Sequence, residues 1–463
     1  MFSPQTYQTR RQALLHRVSD GPMLLMGNRL SSINYPDQHY PFRQDSSFLY
    51  YLGLDRPDLA AMLDPATGET TLYGDEVSLD HLVWMGPQPR LAELAERSGL
   101  SQVKPHAQLL ADLQALRVEA VHFLPPYRPE NELVLMQGLG LSPGQARAQA
   151  SQTLIKAIVA QRSYKSDEEI AELTLAAELT GKMHRRAMHT AQPGLKEAAV
   201  MAEVYAEALR ADSRPSFSII CSVHGEVLHN TTFANPLTEG DLLLVDAGGE
   251  SPRHYAGDMT RTLPVSGTFS EQQRAVYEIV LKANRACAKM LRPGLPYREV
   301  HLHAAHVIVD GLKDLGLMTG DTAEAVAAGA HALFFPHGLG HMLGLDVHDM
   351  EDLGEDYVGY TAELPRSTQA GSRNLRLARP LETGFCLTVE PGIYFIPDLI
   401  DRWQADKTCA DFIHFDKLAP YRRFGGIRLE DDYVVTEDGA DLLGTPVPIT
   451  IEEVEAELGR RGS

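Results

Sequence analysis

Histidines and carboxylates are concentrated in one short run of the chain. The segment Pro336-His337-Gly338-Leu339-Gly340-His341-Met342-Leu343-Gly344-Leu345-Asp346-Val347-His348-Asp349 places three imidazoles and two carboxylates within fourteen residues. A His-x3-His pair on a helix is the mark of a zinc protease, but that motif needs a glutamate directly after the first histidine, where this chain has Gly338. Three glycines in seven residues also oppose a stable helix. The run is therefore read as an extended or looped segment lining a site, with at least one histidine on a metal. A set of hydrogen-bonded structural histidines is the competing reading.

Four carboxylates elsewhere have the same character. Asp246 closes the apolar run Leu242-Leu243-Leu244-Val245, where a charge is costly unless it is paired or bound to metal. Asp258 follows on the return strand of an expected hairpin, where it can sit beside Asp246. Glu390 ends the run Leu387-Thr388-Val389, and Glu430 is expected in the middle of a strand spanning 426–435. Arg428, two residues earlier and hence on the same face, can hold that carboxylate or a neighbour.

Asp246, Asp258, His341, Glu390 and Glu430 then form one candidate set. Without cations its four negative charges would repel, and each buried ion carries a desolvation penalty of several kcal/mol. Two divalent metal ions cancel the charge. Oxygen-rich ligation with a single imidazole and no thiolate favours Mn²⁺, with Zn²⁺ or Co²⁺ able to take the same place. Two such ions ~3.5–4 Å apart can share a hydroxide and polarise a carbonyl, which is the chemistry of metal-assisted hydrolysis.

The elements that must position these groups read as two α/β (α+β) domains. Over 1–160 the pattern alternates: a helix near Pro4–Arg17, strands at Met23–Met26, 47–54, 59–63 and 70–73, helices near Leu91–Arg97 and 108–117, and a strand at 121–124. The aromatic and polar stretch 40–48 is either part of a substrate mouth or a solvated loop. Residues 140–144 suit a linker, and a helix follows over about 150–161. The second domain, 161–463, opens with Ser166 and Glu169 in a capping box at the head of a long helix ending before Pro193-Gly194. About a hundred residues later a helix capped at Ser270 ends at Pro293-Gly294, and each of the two is followed by another helix and then by strand-like sequence. Two related halves around a central site would produce that echo.

Composition narrows the partners. Asp and Glu outnumber Lys and Arg by 62 to 42, a formal charge of −20 that opposes nucleic acid or an anionic membrane as a general partner. The four cysteines, Cys221, Cys287, Cys386 and Cys409, have no short paired spacing and fit a reducing compartment. The apolar run 22–26 is too short for a signal-peptide core, and no stretch reaches the ~18–20 apolar residues of a membrane span. A cytoplasmic location is expected.

With these residues in view the chain resembles the pita-bread metallopeptidases, and within them the proline-specific dipeptidases (prolidases). Asp246-Ala247-Gly248, Gly257-Asp258-Met259-Thr260-Arg261-Thr262, His337-Gly338-Leu339-Gly340-His341, Thr388-Val389-Glu390-Pro391-Gly392-Ile393-Tyr394 and Ile427-Arg428-Leu429-Glu430-Asp431 match the five metal-ligand motifs in order. Phe42-Arg43-Gln44-Asp45-Ser46 is similar to the N-terminal signature of the family. The resemblance implies an N-terminal α/β domain ahead of a pita-bread catalytic domain with pseudo-twofold halves. It further implies that Asp258 and Glu430 bridge two ions, that His341 and Glu390 complete one and Asp246 the other, and that Glu390 takes the proton of the attacking water. His229, His337 and His348 match histidines that touch substrate or stabilise the tetrahedral intermediate, and Arg428 is grouped with the substrate-binding residues.

Two features resemble prolidase more than its relative aminopeptidase P. Leu375-Arg376-Leu377-Ala378-Arg379 is similar to the segment whose first arginine grips the free carboxylate of an Xaa-Pro dipeptide, a bidentate task that suits a guanidinium. An ordinary surface arginine is the alternative. Glu430 also comes forty positions after Glu390, with an aromatic and basic insert over 403–423 between them. Three departures are present: Asp246 and Asp258 are one residue further apart than usual, Asn230 follows His229 where an aromatic is common, and Ser216 or Phe217 stands where a tyrosine is common. The resemblance implies a homodimer acting on small Xaa-Pro peptides. An aminopeptidase P and an inactive peptide-binding module of the same fold are the alternatives.

Overall fold

The structure, a computed structural model, describes residues 1–460. The chain divides into two compact units, one of Met1–Arg162 with Asp352–Tyr357 and one of Ser163–Glu351 with Val358–Ser463.

The first unit is built on a five-stranded sheet of β1 (Met23–Met26), β2 (Ala60–Asp64), β3 (Glu69–Tyr73), β4 (Gln102–Lys104) and β5 (His122–Phe123), in the order β4-β3-β2-β1-β5. The pairs β1–β2 and β2–β3 are antiparallel, and the outer pairs are parallel. Leu24, Tyr73, Leu113, Phe123 and Leu135 pack into its core. One expectation fails here: 47–54 is not a strand, because Ser46–Leu52 is a helix. All seven of its residues are buried. A helix buried on every side shows no 3.6-residue alternation, so its apolar run reads like an inner strand. Asp45 caps it, accepting from the Phe48 backbone N–H at 2.8 Å, and Gly53 ends it at φ 66°. The stretch 40–48 thus carries a helix cap. Residues 140–144 join the helices Pro129–Leu139 and Gln145–Ala148 inside the same unit.

In the second unit the echo between halves is visible in backbone hydrogen bonds. The Ser166–Glu169 capping box heads Asp167–Thr190, and a Ser270–Gln273 box heads Glu271–Met290. Each helix ends in a Pro-Gly turn whose glycine has positive φ, 90° at Gly194 and 82° at Gly294, a backbone state that glycine adopts at no steric cost. The amide of Gly194 donates to Leu237 and that of Gly294 to Leu381, while Leu237 and Leu381 donate back to Leu195 and Leu295. The partner helices Glu197–Arg210 and Tyr297–Asp314 follow. Each half then supplies strands: β6 (Ile220–Ser222), β7 (Leu242–Ala247) and β8 (Met259–Pro264) in one, and β9 (Cys386–Val389), β10 (Gly392–Tyr394), β11 (Gly426–Arg428), β12 (Asp431–Val435) and β13 (Ala440–Leu442) in the other. They form the sheets β6-β7-β8, β13-β12-β9 and β10-β11.

One detail differs from expectation: 426–435 is two strands in different sheets, with Glu430 at the break between them. The insert over 403–423 follows the start of the helix Pro397–Asp406 and returns to β11 through two short 3-10 turns. Among the described residues no helix is long and apolar enough to cross a membrane.

Candidate metal centre

The hairpin β7–β8 sets the first two carboxylates. Asp246 faces Thr260 across the ladder. Asp258 lies two residues before Thr260 and so shares its face, which makes the aspartates diagonal neighbours on one side of the sheet. Glu430 joins them through an isolated bridge to Thr260, whose hydroxyl donates to Glu430 Oε2 at 2.7 Å. The histidine-rich run is irregular, as expected, and it lies along β9: Met342 bridges Leu387, His341 accepts from the Thr388 amide, and Leu339 accepts from the Glu390 amide. A Cβ on Gly340 would stand 2.2 Å from the Thr388 carbonyl oxygen, so glycine is what permits this approach.

Ligand-type atoms of Asp258, His341 and Glu430 all lie within 4.8 Å of one another, and all three residues are buried. His341 Nε2 is 3.3 Å from Asp258 Oδ2 and 3.8 Å from Glu390 Oε1. Its Nδ1 lies 3.0 Å from the Met342 carbonyl oxygen, a contact that puts the proton on Nδ1 and leaves the Nε2 lone pair facing the carboxylates. Asp246 is at the margin of the cluster, where Arg428 donates to its Oδ2 at 2.5 Å. Asp246 Oδ1 and Asp258 Oδ1 are buried and have no hydrogen-bond partner among the described residues.

That arrangement is strained by charge. Burial, then the neighbouring Glu430 and Asp246, push the Asp258 carboxyl well above its ordinary range. Burial and Glu390 do the same to Glu430, and burial raises Glu390 to about 8 against the opposing pull of Arg428. His341 is driven well below its usual value by burial and by His348. Burial works against the charge on Arg428, but Tyr394, Asp246, Glu430 and Glu390 together hold it well above the usual value. Carboxylates that resist ionisation, a neutral imidazole with its lone pair turned inward and two orphaned oxygens together fit divalent cations.

The cluster forms one wall of a cavity of about 610 Å³. All of the other residues singled out from the sequence, His229, His337, His348, Arg376 and Arg428, line it as well, as do Phe217 and Asn230. Asn230 donates to Ser222 Oγ at 2.8 Å, and Ser216 Oγ donates to the Gly257 carbonyl at 2.7 Å, so both unusual positions are tied to the scaffold. His229 is lowered by burial and by Arg428. His337 has both nitrogens engaged: Nδ1 with the Gly338 carbonyl at 2.7 Å and Nε2 with the Tyr394 hydroxyl at 2.8 Å. Arg428 donates to that same hydroxyl at 2.8 Å, so the chain of donation runs Arg428, Tyr394, His337. Burial and Arg428 lower His337 to about 3.

Three participants were not identified from the sequence. Tyr394 was seen as part of a motif without a role. Asp432, which accepts from the Asp258 amide at 2.9 Å, follows Glu430 in an acidic run that gives no reason to favour it. Glu351 lies against His348 Nδ1, and acidic residues after a turn are too common to stand out.

Comparison with known proteins gives the family. The profile of "Metallopeptidase family M24" matches residues 171–437, and that of "Aminopeptidase P, N-terminal domain" matches 7–122. The chain is 32% identical over 466 residues to the Xaa-Pro dipeptidase of Homo sapiens, covering 97% of this chain and 92% of that protein. It is 32% identical over 468 residues to the Xaa-Pro aminopeptidase of Escherichia coli (strain K12), covering 98% of each. The solved structure of zinc-substituted E. coli aminopeptidase P in complex with product superposes with a TM-score of 0.82 at 31% identity, covering 99% of this chain and 98% of that one. The expected pita-bread architecture, with its N-terminal α/β domain, is therefore correct, and the chain belongs to metallopeptidase family M24.

Proposed function

We propose that this chain hydrolyses the Xaa-Pro bond of dipeptides, with residues 161–463 as the catalytic domain. The observation that carries this reading is the buried group of Asp258, His341 and Glu430 in the wall of one cavity, with Oδ1 atoms of Asp246 and Asp258 that have no hydrogen-bond partner among the described residues. Asp246, Asp258, His341, Glu390 and Glu430 would hold two divalent ions, Mn²⁺ by preference because the donors are mostly carboxylate oxygen. Bound there, the ions would supply an acidified water and polarise the scissile carbonyl.

The chain's own groups do the rest. Glu390 takes the proton of the attacking water and returns it to the prolyl nitrogen. That return matters because the Xaa-Pro bond is a tertiary amide whose nitrogen leaves as a secondary amine. His348 donates toward the developing oxyanion, and His229 touches substrate across the same cavity. His337 is already held by Tyr394 and the Gly338 carbonyl, so its main work is to fix Tyr394 and, through it, Arg428. Arg428 in turn orients Asp246. Arg376 grips the free carboxylate of the dipeptide.

A second reading, removal of the N-terminal residue from longer Xaa-Pro peptides, is favoured by one feature. Asn374 lines both the main cavity and a second one of about 460 Å³ that contains Arg373, Arg402 and Trp403. A peptide longer than a dipeptide has somewhere to continue. Turnover of Xaa-Pro and Xaa-Pro-Yaa by chelated protein, with and without added Mn²⁺, separates the readings. Metal-dependent cleavage favouring the dipeptide supports the first, and preference for the tripeptide overturns it.

A further inference from the structure

Glu351 touches two of the side chains assigned to substrate. Its Oε2 lies against Nδ1 of His348 and 3.5 Å from Nε of Arg376, and that Nε is 3.1 Å from the same Nδ1. All three side chains are partly exposed, at 40% for Glu351, 31% for His348 and 30% for Arg376. A ring nitrogen carries a proton or a lone pair, so Nδ1 cannot donate to Glu351 and accept from Arg376 at once. The carboxylate makes the closer contact. With Nδ1–H on Glu351, the ring is held from behind, and the guanidinium stands beside the same carboxylate as its countercharge.

The backbone is shaped to keep this contact. Glu351 N–H donates to the His348 carbonyl at 3.1 Å, which closes a tight turn and brings the two side chains together. Met350, inside that turn, has φ 64°, a left-handed conformation that a non-glycine residue adopts only where its surroundings demand it. Asp349 is anchored in turn by Lys165 at 2.8 Å.

We infer that Glu351 is a positioning residue, which holds the His348 ring and the Arg376 guanidinium in one frame so that the reacting carbonyl and the carboxylate end of a dipeptide meet both together. The inference rests on the peptidase reading of the cavity. It adds a specificity determinant that lies outside the ligand and substrate residues already assigned.

The test uses full-length, Mn²⁺-saturated protein with Ala-Pro and its C-terminal amide as substrates, comparing the parent with Glu351→Ala, Glu351→Gln and Glu351→Asp. Loss of an orienting partner typically costs about 10–100-fold, so Glu351→Ala is expected to lower kcat on Ala-Pro by that factor. Its KM should rise several-fold for the free acid and change little for the amide. Glu351→Gln keeps an acceptor oxygen for Nδ1–H and is expected to recover most of kcat. Glu351→Ala with kcat and KM both within twofold of the parent would overturn the inference, as would a loss of kcat that glutamine fails to restore. If the alanine variant does not fold, the aspartate variant, whose shorter side chain withdraws the carboxylate, takes its place against the same criteria. A parent protein inactive on both substrates would sink the peptidase reading instead, and the two failures are thereby told apart.

Discussion

Lys165→Met tests whether the loop that carries His348 depends on a charge deep in the fold. The Lys165 ammonium lies 2.8 Å from Asp349 Oδ2, and each side chain is only 1% exposed. Asp349 also accepts from the Asp346 amide at 3.3 Å, and its own amide donates to the Met342 carbonyl at 2.9 Å, so it ties both ends of the loop between the site histidines. Gly344 packs so closely against this carboxylate that a Cβ there would lie 2.4 Å from Oδ2. Replacing the lysine by methionine keeps most of the volume and removes the cation. Breaking one side of a buried ion pair costs about 3–5 kcal/mol. At about 2–4 °C per kcal/mol for a unit of this size, the thermal midpoint should fall by roughly 6–20 °C. Circular dichroism melts of metal-saturated protein measure it. The double variant Lys165→Met with Asp349→Leu should regain most of the loss, because a buried pair replaced by apolar groups is often neutral or better. A single variant melting within about 2 °C of the parent would refute the argument, since it would mean that water or a rearranged side chain satisfies Asp349 at little cost.

Other outcomes follow from the same geometry. His348→Ala should lower kcat by about 10²–10³-fold, the usual cost of losing one oxyanion donor, while moving the melting midpoint by only a few degrees; full turnover by this variant would remove its assigned role. Arg376→Ala should raise KM for Ala-Pro far more than for its amide, and an equal effect on both would show that the guanidinium does not read the carboxylate. In metal-free protein Asp258, Glu390 and Glu430 have folded-state affinities for protons above those of the unfolded chain. Their contribution to stability is therefore full below the ordinary carboxylate range and is lost as pH rises toward about 8, the value reached by Glu390. Urea unfolding of chelated protein from pH 5 to pH 8.5 should show that decline, and saturating Mn²⁺ should abolish it because the ions take the place of the protons. An identical slope with and without metal would contradict this account.

What could be read in advance depended on whether a residue was anomalous in its local setting. Asp246 stood out because an acid at the end of four apolar residues needs a reason, and His341 stood out because glycines flank it in place of helix formers. Glu430 was found as a residue, but its backbone was misread. The stretch 426–435 has the alternation of one strand, and nothing local records that its two parts pair with β10 and β9 in different sheets. Ser46–Leu52 failed for a related reason, since burial on all sides erases periodicity. Glu351 and Tyr394 needed coordinates, because their meaning lies wholly in which nitrogen each one faces.

The histidine-rich run shows how one residue type is sorted into different tasks. In each of its three imidazoles the partner of Nδ1 differs: the Gly338 carbonyl for His337, the Met342 carbonyl for His341 and the Glu351 carboxylate for His348. A carbonyl partner fixes a neutral ring with its lone pair on Nε2. For His341 that lone pair faces Asp258, where a cation would lie, and for His337 it accepts from Tyr394. For His348 the partner is a side-chain carboxylate that also lies beside Arg376, so this ring is tied to the groups assigned to substrate. Nothing in the spacing of the three histidines distinguishes them. What does is a backbone without regular structure, which can offer a different acceptor behind each ring, and the glycines at 338, 340 and 344 make that backbone possible.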